Sequence, residues 1–190
     1  MEYRRDKLLA ARSQLLTAID LFHGEGDPIS VHTLAGAAAE MLESLCRASG
    51  VAPFTDHVHA SFPDKSLKDI WRIRNLYRNA FKHADGDDTD VMTQFDEQAN
   101  DFLIYVAVED YLRLRRKSPV SMQVFQVWFI AVHEDRLQPD INPTPFRTAF
   151  PGIGAHSRGT QKEALRRMIA LKSEDTDLLA QPNTEALVLA

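Results

Sequence analysis

From Ser66 to His83 the chain is written as one amphipathic helix, and this stretch constrains the fold more than any other. Ser66 is placed to accept from the third backbone N–H, and Asp69 to reach back to the helix start, as in a capping box. Ile70, Ile73, Tyr77, Ala80 and Ala84 recur at helical spacing and form an apolar face. Two polar rows lie away from that face. One holds Arg74, Arg78 and Lys82, the other Asn75, Asn79 and His83, and each steps by four residues so that its members stack on successive turns. Asp85-Gly86-Asp87-Asp88 then stops the helix, leaving His83 near its C-terminal end. A solvated face accounts for the cations. It accounts less well for two asparagines in one row with a histidine, because the Asn amide competes with the backbone and weakens a helix.

The charge pattern around this stretch is polarised. From Lys65 to His83 there are six cations and one anion, Asp69, whereas Asp85 to Asp110 holds nine acids and no lysine or arginine. A basic and an acidic helix joined by a short turn would neutralise each other, with Arg74 and Arg78 bound to residues 85–101. Over all 190 residues the net charge is −5, so a nucleic acid would have to be held by a local patch. Cys46 is the sole cysteine, which excludes an intramolecular disulfide and suits a reducing compartment. No apolar run approaches the ~20 residues of a membrane span. The polar start, Met1 to Arg5, lacks a signal-peptide core, and the expected location is cytoplasmic.

Taken in order, residues 3–23 predict a first helix. Residues 29–48 predict a second, whose small residues from Ala35 to Ala39 admit a close neighbour and place it at the bundle centre against the 66–83 helix. Glu40 follows the alanine run. It is either exposed or buried in a pair with Arg78 or Arg74, since a buried carboxylate needs a partner. His32, two turns earlier, can join the same seam. Residues 51–65 read as a connection. Its Asp56-His57-Val58-His59 offers two or three metal ligands, but no other His or Cys cluster completes a site. No metal is assigned, and these histidines can instead line a groove beside the next helix.

A fourth helix is predicted from about Asp90 to Lys117 and a very apolar fifth over 119–134, buried in the core or in a dimer interface. Residues 135–158 read as an irregular proline-rich arm. Its Gly152-Ile153-Gly154-Ala155-His156-Ser157 lacks the strand, third glycine and lysine of a phosphate loop. Thr160 with Glu163 predicts the start of a sixth helix to about Leu171, before a tail. The fold class is therefore all-α: an antiparallel bundle of four to five helices over 1–117, a packed extension over 118–172 and a tail over 173–190.

Arg78-Asn79-Ala80-Phe81-Lys82-His83 resembles the Arg-x4–6-His motif of the HEPN superfamily in its Arg-Asn-x-x-x-His form. The resemblance spans roughly Ser30 to Lys117. It implies a helical bundle and a metal-independent endoribonuclease of the toxin or phage-defence type, with catalysis at Arg78 and His83 and Asn79 in support. Glu40, Arg74 and Asn75 would support the site, Lys68, Arg72 and Lys82 would hold nucleic acid, and no cofactor is required. The implied partners are RNA or a nucleotide, an antitoxin or regulatory protein, and a second copy of the chain. The residue types suit such chemistry, because imidazole moves protons near neutral pH and a guanidinium steadies a crowded phosphate. At about 100° per residue, positions 78 and 83 diverge by about 140°, so a symmetric dimer is the expected way to bring them together. The rival reading is a non-catalytic helical domain that binds a nucleotide, RNA or an acidic protein surface.

Overall fold

Small side chains bring the first helices together. The computed structural model describes residues 6–82, 94–136 and 142–186, excepting the side chains of Ile73, Arg78, Asn79 and Lys82. Helix α1 (Lys7–His23) starts where Asp6 accepts the backbone N–H of Leu9, and α2 (Pro28–Ala48) where Asp27 accepts that of Ser30. Proline at the first turn of α2 costs nothing, since that N–H has no intrahelical partner. Ala35, Gly36, Ala38 and Ala39 are all buried, and α2 runs between α1 and α5 with α4 against it. The expected central position of the second helix follows from these small contacts. Gly50, with φ of +68°, turns the chain out of α2.

Helix α3 (Phe54–Ser61) occupies most of the stretch that reads as a connection in the sequence. Helix α4 (Leu67–Lys82) follows, and α5 (Ala99–Arg115) begins well after Asp90. Within 94–98 the Asp96 carboxylate accepts the Gln98 N–H, and Phe95 packs against His32, Tyr77 and Phe81 rather than extending a helix. The Asp90 start itself lies outside the described residues. Residues 102–108, which include a strand-like apolar run, are helical. Helix α6 (Val120–Val132) is the expected very apolar helix, and Met122, Phe125 and Trp128 are fully buried. Phe22 meets both Phe125 and Trp128 edge-on.

The proline-rich arm contains a short helix, α7 (Thr144–Ala149), and two 3-10 turns, Glu134–Arg136 and Ile153–Ala155. Helix α8 (Arg158–Ser173) is capped by Ser157, whose hydroxyl accepts the Thr160 N–H, so the expected start at Thr160 is three residues late. After α9 (Thr176–Leu179) the chain returns to the bundle. Glu185 is buried there and accepts from Arg12, Tyr111 and Arg115, beside a one-residue parallel bridge between Ser118 and Thr184. The described residues are all-α, with no strand beyond that bridge, and none of their helices is long and apolar enough to cross a membrane.

Candidate functional site

The capping box at the head of α4 forms as its residues dictate. Asp69 N–H donates to the Ser66 hydroxyl at 3.2 Å, and Ser66 N–H donates back to the Asp69 carboxylate at 3.3 Å. From this start α4 continues without a break to Lys82, with Ala80 buried and Ile70 and Tyr77 partly buried on its inner face. Lys68 and Arg72 are exposed on the outer face, and Arg72 leans toward Asp69 at 3.4 Å. Asn75 is half-buried. The backbone of α4 carries Arg78, Asn79 and Lys82 one and two turns beyond Arg74, but their side chains, and all of His83, lie outside the described residues.

Arg74 is held by α2, though not by Glu40; the alternative pair of Glu40 with Arg78 rests on a side chain that lies outside the described residues. Glu40 is exposed, and the acid that faces Arg74 is Glu43, only 6% exposed and three residues further along. Arg74 Nη1 donates to Glu43 Oε2 at 2.5 Å and to the Thr55 hydroxyl at 3.2 Å. The other carboxylate oxygen of Glu43 accepts from Arg47 and from the Trp71 indole, each at 3.0 Å. Burial alone would push the Glu43 carboxyl upward. The Arg74 charge and the hydrogen bonds from Arg74, Arg47 and Trp71 outweigh it and hold the group below its usual range. The sequence did carry a signal for Glu43. It shares a stripe with Ala39 and Cys46, both buried, and has Arg47 one turn later.

Beneath this pair lies a second buried acid. Asp110 on α5 accepts the Phe54 N–H at 2.6 Å and so caps α3 from a distant helix, because the N-cap residue, Pro53, has no side-chain acceptor. Burial pushes the Asp110 carboxyl up to about 6; the Phe54 N–H opposes that rise and the Glu43 charge adds to it.

Helices α3 to α6 enclose a groove of about 800 Å³. Phe54, Phe62, Tyr77, Phe102, Tyr105 and Phe129 supply the rings of its apolar wall; of the two histidines expected to line it, His57 does and His59 is not among the lining residues. His32 and His133 line it too, and each is fixed by a side chain of α5. Asn100 donates its amide to Pro28 O, which turns its oxygen to His32 Nδ1 at 2.8 Å. That oxygen only accepts, so Nδ1 carries the proton. Burial holds the His32 pKa below its ordinary value, with the Asn100 bond acting the other way. His133 Nε2 lies 3.0 Å from Asp101, which is fully buried and also grips Arg158 of α8 through both carboxylate oxygens. Among the described residues no group of three or more His, Cys, Asp or Glu gathers to hold a metal.

The site therefore has two parts: a braced basic helix, and an aromatic groove against its inner side. No protein-family model matches the chain, and neither a curated protein nor a solved structure matches it.

Proposed function

We propose that the chain is a HEPN-like helical-bundle protein that cleaves RNA without a metal, with Arg78 and His83 at the site. One observation carries the reading: α4 is anchored one turn before Arg78 by the buried pair of Arg74 with Glu43. An immobilised helix can present a guanidinium at a fixed position, and fixed donors stabilise a developing phosphorane better than mobile ones. In this reading Arg78 binds the scissile phosphate, and His83 moves the proton between the 2′-hydroxyl and the leaving oxygen. Asn79 supports one or the other, and the exposed Lys68 and Arg72 carry the RNA backbone. A second copy of the chain completes the site, because Arg78 and His83 diverge along a regular helix.

The test is incubation of the purified protein with total cellular RNA in EDTA, beside Arg78→Ala and His83→Ala. Cleavage that leaves 2′,3′-cyclic phosphate ends and disappears in both variants is the expected result. Mixing the two inactive variants restores part of the activity if the site is shared between copies. A well-folded wild type that leaves RNA intact transfers the weight to a non-catalytic binding domain.

A further inference from the structure

Among the described residues assigned to RNA cleavage, the groove between α3, α4, α5 and α6 shares only Arg74, which Glu43 already engages. We infer that it is a binding site for a compact aromatic anion: a flat ring system bearing one carboxylate or phosphate.

Size, lining and charge lead to this class. A volume of about 800 Å³ is ample for a small molecule and falls in the usual range of ligand pockets. Six Phe or Tyr rings stand in the walls beside three imidazoles, and the mouth is apolar: Phe62 is 59% exposed and Leu76 46% exposed. Apolar side chains left facing water around a concavity gain by being covered. Rings gain further by meeting another ring face to edge, which favours an aromatic body over a flexible chain.

Charge selects the anion. In a chain of net charge −5, the described residues lining the groove include Lys65, Arg74 and Arg136 and three histidines, but no carboxylate. Arg74 is engaged by Glu43, but among the described residues Lys65 and Arg136 have no carboxylate within ion-pair distance. They come from different elements, the loop before α4 and the 3-10 turn after α6, and Arg136 already lies over the Phe102 ring at 5.3 Å. A cation poised on an aromatic wall suits a ligand that is itself aromatic and negative. Aryl carboxylates and nucleoside monophosphates share that chemistry.

The experiment uses the full chain and two fluorescent probes, 8-anilinonaphthalene-1-sulfonate and its uncharged relative N-phenyl-1-naphthylamine. The sulfonate is expected to bind saturably at one site per chain. Lys65→Ala combined with Arg136→Ala should weaken it about three- to tenfold and leave the uncharged probe unchanged, and Leu76→Glu, which adds a negative charge at the mouth, should weaken the sulfonate more than the uncharged probe. All three positions are solvent-facing, and a cooperative thermal transition in each variant confirms that the fold is kept. Displacement by 2-naphthoate with no effect of adenosine 5′-monophosphate assigns the aryl carboxylate, and the converse assigns the nucleotide. Absence of single-site binding, affinities unmoved by the substitutions, or displacement by decanoate ahead of both aromatic anions overturns the inference. RNA cleavage is read separately, so failure here leaves that reading untouched and failure there leaves this one.

Discussion

Replacing Glu43 by glutamine tests the brace on α4. The substitution keeps the shape and removes the charge. Both oxygens of Glu43 receive donors, Arg74 at one and Arg47 with Trp71 at the other. Whichever way the amide turns, its NH2 group therefore meets an N–H, and Arg74, itself largely buried, keeps a charge without a counter-ion. Breaking a buried pair by removing one partner costs about 3–5 kcal/mol. The remaining amide oxygen recovers part of that, so a loss of about 3 kcal/mol is expected. In a chain of this size each kcal/mol lowers Tm by about 2–4 °C, which gives about 6–12 °C. Glu40→Gln provides the contrast. Glu40 is exposed, and an exposed carboxylate contributes less than about 1 kcal/mol even when ion-paired. The assay is urea and thermal unfolding followed by far-UV circular dichroism at pH 7. Equal stability of Glu43→Gln and wild type, or a larger loss in Glu40→Gln, would show that α4 is not held in this way.

Asp110→Asn should become more stabilising, relative to wild type, as pH rises. The folded carboxyl is raised from 3.8 to about 6, so between those values the folded state holds the proton that the unfolded state has released. Stability thus falls across that window, and above pH 6 the penalty is complete, on the order of 3 kcal/mol. The gain of Asp110→Asn at pH 7.5 over its gain at pH 4, read from urea titrations, measures it; a flat difference rules out a strained carboxylate. Cys46 is fully buried, and burial pushes its thiol up to about 12, with the Asp110 charge next in effect. It should resist 5,5′-dithiobis(2-nitrobenzoate) at pH 8 in the native protein and react at once in urea. Fast native-state labelling would contradict the packing of α2 on α5.

The parts of the fold that were legible in the sequence are those whose causes are local. Ser66 and Asp69 announce the head of α4 within four residues, and the alanines of α2 announce a close neighbour. What was missed has distant causes. The cap of α3 is Asp110, 56 residues away, so nothing near Phe54 marks a helix start. Ser157 and Thr160 are both competent caps. The helix begins at the earlier one, where Arg158 reaches Asp101 on α5 and Glu97 just before it, a contact no local pattern contains. The same holds at the candidate site. The stripe with Ala39 and Cys46 marks the buried side of Glu43 locally, but that its partners are Arg74 and Trp71 is decided only by the arrival of α4.

The seat of Glu185 sets an order on synthesis. Its carboxylate is the acceptor for Arg12, 173 positions earlier, and for Tyr111 and Arg115. Helices α1 and α2 can pair as soon as they emerge, since their contacts are near neighbours in the chain. The guanidiniums and phenol that Glu185 satisfies must wait until residue 185 itself has been made. At about 5–20 residues per second, the nascent bundle spends several seconds with that corner open. During that interval Arg12, Tyr111 and Arg115 are without the Glu185 carboxylate that they share in the folded chain.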